Sequence, residues 1–263
     1  MTGGRGGLWV VGTGIKLAAH CTAEARGVIE AADVVFAAAD NFTLEWLRRL
    51  NSDVRTLTDL YGEGRTRRHT YESMTERILA AVREGQQVAA VFYGHPGVFV
   101  DPSHDAVHRA RDEGYHAVML PGVSAEDCLF ADLGFDPGRL GCQSYEATDF
   151  VINARTIDPT AALILWQIAV VGDRSLREFE SRPERLALLQ QILLETYPAD
   201  HEVVVYEAAP VAVVEPRVDR MPLGELDTAR VRQASTLYVA PLRPPRADPN
   251  RVAMFDAIAF APD

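Results

Sequence analysis

Residues 88–99 read Val-Ala-Ala-Val-Phe-Tyr-Gly-His-Pro-Gly-Val-Phe, and this stretch decides the fold. Its first half, 88–93, is an apolar run without polar alternation, the pattern of a strand covered on both faces of a parallel sheet. The second half, Tyr93 to Phe99, follows directly at the strand's carboxyl end, the edge where open α/β sheets take their ligands. Gly94 and Gly97 around Pro96 make a rigid loop with accessible backbone N–H and C=O groups. A turn that only reversed the chain would not need Tyr93, His95, Val98 and Phe99 as well.

Outward from this strand, short apolar runs alternate with helical patterns. Strands are expected at 8–11, 34–37, 54–57 and 117–120, and helices at 17–32, 42–50, 71–84 and 103–113. Met74, Ile78, Leu79 and Val82 recur at helical spacing and mark a core-facing stripe. Strand–helix alternation of this kind predicts a parallel α/β sheet. Pro121–Gly122 reads as a hinge, giving an N-terminal domain over 1–121, a second domain over 122–242 and a tail over 243–263. The second domain should contain a helix opening at Ser124, strands at 162–168, 203–207 and 236–239, and a helix at 184–196. Its longer connections predict a mixed sheet. A short helix at 252–261 would close the chain.

Composition narrows the function. Nearly half of the 263 residues are hydrophobic, yet no stretch reaches the length of a membrane helix. A net charge of −11 disfavours nucleic acid as a partner, although Arg65, Arg67 and Arg68 form a local basic cluster. Cys21, Cys128 and Cys142 are widely spaced and suit a reducing, cytoplasmic setting without a disulfide framework. Lys16 is the one lysine, which leaves Schiff-base chemistry with a single candidate.

Each remaining motif has a plain structural reading beside a functional one. Gly12 and Gly14 sit where the first strand turns toward the first helix, and could admit a ligand or simply turn the chain. Ser124 with Asp127 approximates a helix capping box, while small Ser124 and Ala125 would also leave room for a cofactor. Arg67 and Tyr71 are four apart and share a face if their helix starts early; a cation beside a tyrosine favours the phenolate. Otherwise the loop that carries Tyr61 is a solvated one. His104 and His108 have the i, i+4 spacing of a helical zinc pair, but the glutamate that a zinc-protease helix requires is absent, and no metal is expected.

Taken together, these segments resemble the tetrapyrrole-methylase superfamily, and within it the borosin peptide backbone α-N-methyltransferases. "GHPGVF" (94–99) and "PGVSAED" (121–127) carry the superfamily; "YGEGRTRRHTY" (61–71), "ADLGFDPG" (131–138) and "LWQIA" (165–169) carry the peptide-methylating branch. The resemblance implies two α/β domains, a parallel-sheet one followed by a mixed-sheet one, with S-adenosyl-L-methionine in the cleft between them and S-adenosyl-L-homocysteine as product. Cofactor contacts would come from Gly12, Tyr93, His95, Val98, Phe99, Ser124, Ala125, Gln167, Tyr206, Glu207 and Ala208. Tyr61, Arg67, Tyr71 and Tyr93 would form the catalytic group. It also implies a homodimer acting on a peptide with a hydrophobic core. Fused members of the family carry that peptide behind the catalytic region; here "RVAMFDAIAFAPD" (251–263) follows too closely, so a separate precursor peptide is expected. The competing readings are a corrin-type small-molecule methyltransferase, a non-catalytic peptide binder and a zinc hydrolase built on His104 and His108.

Overall fold

The computed structural model describes residues 6–61, 66–174 and 182–259. It divides into two compact units: Met1–Phe135 with Asp173–Glu178 and Glu207–Arg217, and Asp136–Gly172 with Phe179–Tyr206 and Val218–Asp263.

The first unit runs β1 (Gly7–Gly12), α1 (Ala23–Ala31), β2 (Val34–Ala38), α2 (Asn41–Leu47), β3 (Val54–Thr56), α3 (Arg67–Arg83), β4 (Gln87–Phe92), α4 (Asp101–Asp112), β5 (His116–Met119) and α5 (Ala125–Leu133). The strands order as β3-β2-β4-β1-β5, and every pairing is parallel. Alternation along each strand supplies two apolar faces. Leu8, Val10, Val34, Phe36, Val88, Ala90 and Phe92 pack with Met74, Ile78, Leu79 and Val82 of α3 and Ala106, Val107 and Ala110 of α4. On the opposite face, Val11, Val35, Ala37, Ala89 and Val91 pack with Ala25 and Ile29 of α1 and Leu44 and Leu47 of α2. Each fully buried side chain of this size stabilises the fold by roughly 1.5–3 kcal/mol. The crossover from β1 to β2 passes β4 in one direction, and that from β4 to β5 passes β1 in the other. The chain therefore switches direction between β4 and β1, the position where such sheets open a crevice at their carboxyl edge.

Helix boundaries differ from expectation at two places that matter. The stretch 17–22 is not helical: Ala18 has φ +62°, and α1 starts only where the Thr22 side chain accepts from Ala25 N–H at 3.1 Å. The long helix starts earlier than expected, at Arg67, capped by the Thr66 hydroxyl accepting from His69 N–H at 3.3 Å. By contacts the first unit continues through Phe135, beyond the expected hinge at Pro121–Gly122. The chain passes from the first unit to the second within the "ADLGFDPG" segment, between Phe135 and Asp136. Gly134 ends α5 with φ +64°, and the Phe130 and Phe135 rings meet across it, tilted, with centroids 5.8 Å apart. Asp136 then caps the next helix by accepting from Gly138 N–H at 2.9 Å.

The second unit contains α6 (Pro137–Leu140), β6 (Cys142–Glu146), α7 (Ala147–Ile152), β7 (Ala162–Trp166), α8 (Pro183–Leu194), β8 (Glu202–Glu207), β9 (Arg217–Pro222), β10 (Thr236–Val239) and α9 (Pro249–Ala259). Its sheet is mixed, in the order β6-β7-β10-β8-β9: β6 and β7 are parallel, and β10 is antiparallel to both β7 and β8. One core joins Phe150, Leu163, Leu165, Leu186, Leu189, Leu193, Val203, Val205, Leu237 and Val239.

In that core Tyr197 is buried and stacks on His201 at 5.0 Å, but its hydroxyl has no hydrogen-bond partner among the described residues. Burial, with a smaller push from Asp158, raises its pKa to about 12. A tyrosine in the unfolded chain ionises near 10, so this group costs the fold stability as pH climbs from about 10 to about 12. Tyr197→Phe removes an unpaired buried hydroxyl and should raise stability by about 1 kcal/mol in neutral urea titrations. The variant should also lose less stability than the parent between about pH 10 and 11.

Candidate active site

The switch point is closed by backbone. Gly14 N–H donates to Gly94 C=O at 3.2 Å and Gly94 N–H donates back to Gly14 C=O at 3.1 Å, while Thr13 N–H reaches Phe92 C=O at 2.9 Å. The loops after β1 and β4 are thus paired directly across the carboxyl edge. Gly12 is required for that approach, since a β-carbon there would lie 2.0 Å from the Gly94 oxygen. The loop after β5 joins them, with the β-carbon position of Gly122 only 3.1 Å from the same oxygen.

The Tyr93–Phe99 loop is held from within. His95 Nδ1 accepts from Gly97 N–H at 2.9 Å, and His95 C=O accepts from Val98 N–H at 3.2 Å. With Nδ1 accepting, the ring's proton sits on Nε2. Ser103 Oγ donates to the carbonyls of Pro96 and Val100, and His104 Nε2 lies 3.0 Å from Gly97 O. His104 therefore fastens this loop. Among the described residues no group of three or more His, Cys, Asp or Glu side chains is placed to hold a metal ion. Phe99 has φ +56°, a conformation that costs a non-glycine residue on the order of 1–3 kcal/mol. Its ring nevertheless stays exposed, as do those of Tyr93 and the side chain of Val98. Exposed apolar groups on a strained, internally tied loop are organised for something other than folding.

Ser124 caps α5 in a full capping box: its hydroxyl accepts from Asp127 N–H at 3.2 Å, and its own N–H donates to Asp127 Oδ2 at 2.7 Å. The capping reading of this motif is realised. Ala125 is the first residue of α5 and half-buried. Glu207 and Ala208 belong to the returning segment of this unit, which is tied to the β1 loop by Leu17 N–H donating to Pro210 C=O at 3.0 Å. Glu207 pairs with Arg217 at 2.6 Å. Gln167 and Tyr206 lie in the other unit. Gln167 follows β7 with φ +59°, beside Trp166, whose Nε1 donates to Ser144 Oγ at 2.7 Å. The Tyr206 side chain is wholly buried on β8.

Tyr61, Arg67 and Tyr71 are brought together within the first unit. Tyr61 ends the single helical turn after β3, and with α3 starting at Arg67, Arg67 and Tyr71 occupy successive turns of one helix. Residues 62–65, including Arg65, lie outside the described residues. The pKa of Tyr61 is raised to about 12, first by burial and then by Tyr71, through charge and a hydrogen bond; Arg67 opposes this with a smaller effect. The simple expectation that a cation beside a tyrosine produces a phenolate fails for Tyr61, because desolvation is the larger effect. Tyr61 keeps its proton and shares it with Tyr71. Tyr71 also lines an open pocket of about 360 Å³ with Arg68, Glu72, Thr75, Asp101, Pro102 and Asp105.

Asp40 was not legible as part of this edge. Its carboxylate accepts from Phe42 N–H at 2.8 Å and Thr43 N–H at 3.1 Å; burial opposes its charge, but these bonds together hold its carboxyl below the usual range. The Tyr93 hydroxyl is raised above its ordinary value by burial, then by Cys128 and by this Asp40 charge. The sequence signal was an aspartate one residue before a helix, which reads as a cap and nothing more.

The first unit is thus a parallel α/β sheet that switches direction between β4 and β1, with paired glycine loops at its carboxyl edge. The chain belongs to the tetrapyrrole (corrin/porphyrin) methylase family, whose sequence profile matches residues 7–227. It is 42% identical over 248 residues to the methyltransferase/ribosomally synthesized type I borosin cyclic peptide precursor of Coprinopsis marcescibilis, covering 91% of this chain and 63% of that protein. Identity is 44% over 243 residues with the methyltransferase/dendrothelin A precursor of Dendrothele bispora, covering 90% of this chain and 58% of that one. The chain thus spans about three fifths of these relatives. Among solved structures, uroporphyrin-III-C-methyltransferase from Thermus thermophilus superimposes with a TM-score of 0.65 at 21% identity, covering 90% of this chain and 93% of that one. A cobalamin biosynthetic enzyme, cobalt precorrin-4 methyltransferase, gives 0.65 at 16%, covering 91% and 97%. These two share the fold. No described helix is long and apolar enough to cross a membrane.

Gly12→Ala should push the β1 and β4 loops apart. The expected result is a loss of about 1–3 kcal/mol or more in chemical unfolding, the range of a small-to-large change in a packed position. A variant as stable as the parent would show that the loops can separate at little cost.

Proposed function

We propose that this chain is an S-adenosylmethionine-dependent methyltransferase that methylates backbone amide nitrogens of a ribosomally made precursor peptide supplied on a separate chain. The observation that carries the reading is the Tyr61–Tyr71–Arg67 cluster at the carboxyl edge of a methylase-family sheet. The names of the relatives, which join a methyltransferase to a cyclic peptide precursor, support a peptide acceptor. The resemblance to that family further supports a working homodimer.

The residues present fit the cofactor. Exposed Tyr93, Val98 and Phe99 offer apolar surface to a nucleoside, the glycine loops offer backbone groups, and the Asp40 charge suits a sulfonium. His95 on the same loop, Ser124 and Ala125 at the start of α5, and Glu207 and Ala208 on the returning segment complete the first unit's proposed contact set. When bound, S-adenosylmethionine supplies an electrophilic methyl group that needs no metal.

The chain's own task lies with the acceptor. An amide nitrogen is a poor nucleophile because its lone pair is delocalised into the carbonyl. Tyr71, acting as the phenolate after its own proton has passed to solvent, takes the amide proton, while Arg67 and the protonated Tyr61 stabilise the negative charge that develops on the carbonyl oxygen. The nitrogen then bonds the methyl carbon as the carbon–sulfur bond breaks and S-adenosylhomocysteine leaves. The raised pKa of Tyr61 suits it to donate rather than accept. Tyr93 holds the peptide nitrogen in line, an alignment worth on the order of 7–11 kcal/mol when complete.

Co-expression with candidate precursor peptides, followed by tandem mass spectrometry, tests the reading. Mass increments of one methylene located on backbone nitrogens are expected; unmodified peptides beside intact cofactor binding would overturn the peptide acceptor. Tyr71→Phe and Arg67→Lys should each lower turnover by well over tenfold, the usual scale for a lost acid–base or oxyanion group, with cofactor affinity nearly unchanged. Gly97→Val should instead abolish cofactor binding, because its added carbon would crowd Met119 and His95, 3.0 and 3.2 Å away. Normal turnover in both Tyr71→Phe and Arg67→Lys would remove the proposed roles.

A further inference from the structure

Phe42 is the most exposed aromatic among the described residues of the first unit, with 77% of its surface accessible. It contributes little to folding there, since the buried face of α2 is made by Thr43, Leu44 and Leu47. An isolated apolar residue at a surface needs no explanation, but Phe42 is not isolated. In the parallel register Ala37 lies opposite Thr56 of β3, and Ala38 lies opposite Phe92 of β4. The carboxyl ends of β3, β2 and β4 thus stand side by side. Beyond them come, in the same order, Tyr61, Phe42 and Tyr93, each large, aromatic and exposed. The row is held in place at its middle. Asp40 Oδ1 accepts from Phe42 N–H at 2.8 Å and Asp40 Oδ2 from Thr43 Oγ1 at 2.8 Å, which locks the first turn of α2. The same carboxylate acts on Tyr93, so the backbone that carries Phe42 is one hydrogen bond from a group coupled to the site.

We propose that Phe42 is a specificity-determining residue, the apolar wall between Tyr61 and Tyr93 against which the side chain of an acceptor-peptide residue packs. The inference rests on the peptide-methyltransferase reading. A peptide whose backbone amide lies over Tyr61 and Tyr71 must send its side chains along the same edge. The neighbour available beyond β2, in the first turn of α2, is a phenyl ring with no polar atom, which rewards apolar side chains and gives a charged one nothing. Phe42 takes no part in the chemistry, so it should alter which residue is methylated and leave the step itself intact.

The test uses the purified full chain and the precursor found by co-expression, varied at one methylated position to Val, Ala and Ser. The parent should favour Val over Ala and Ser in kcat/KM. Phe42→Ala should shrink that preference by on the order of tenfold, the scale of one lost apolar contact, acting through KM while kcat on the best peptide is kept. Phe42→Leu should retain most of the preference. Calorimetric S-adenosylmethionine affinity and thermal midpoint should match the parent in both variants. An unchanged Val-to-Ala ratio in folded, cofactor-binding Phe42→Ala overturns the role of Phe42 while leaving the peptide reading in place. Failure of the parent itself to methylate any peptide removes that reading and this one with it.

Discussion

The reciprocal pairing of Gly14 with Gly94 is the contact on which the rest of this edge depends. Parallel strands leave their carboxyl ends with backbone groups that have no further ladder partner. Here two such loops satisfy each other, and the absent side chain at Gly12 lets them come close enough to do so. Once they are paired, the Tyr93–Phe99 loop has one course available, and Ser103 and His104 on α4 fix it from below. The exposed aromatics then project from a frame that cannot relax around them, which is what positioning a small reactive molecule requires.

Desolvation, more than charge, sets the character of the tyrosines on this frame. Tyr61 and Tyr93 both hold their protons more firmly than free tyrosine, with burial as the first cause in each. Arg67 works in the other direction on Tyr61 and is outweighed. A site of this kind is suited to donating hydrogen bonds toward developing negative charge. Tyr61 and Tyr71 share one hydrogen bond, so a change at either hydroxyl is felt at the other.

The fold was legible where burial is two-sided. β4, β1 and β2 show as continuous apolar runs because helices cover both faces, and their predicted limits shift by only a residue or two. β6 and β9 were missed for the opposite reason. They lie at the two edges of the second sheet, and segments such as Cys142-Gln-Ser-Tyr-Glu and Arg217-Val-Asp-Arg-Met-Pro carry polar residues that only an edge strand tolerates. The site was legible as loops and unreadable as geometry. The Tyr93–Phe99 loop announces itself by composition, but nothing local says that Asp40 reaches Tyr93, because that relation comes from the β2–β4 register. Nor can spacing reveal that Tyr61, though 44% exposed, is partly desolvated, since Tyr61 and Tyr71 are joined across the start of α3.

The returning segment Glu207–Arg217 has a consequence for how the molecule is made. The first unit is not a continuous length of chain: the carbonyl that receives Leu17 N–H belongs to Pro210, which is translated after most of the second unit. As the polypeptide leaves the ribosome, the five parallel strands can assemble early, yet the support beside the β1 loop arrives only when the later sheet has largely emerged. Until Pro210 has emerged, the nascent chain carries the β1 loop without this tie.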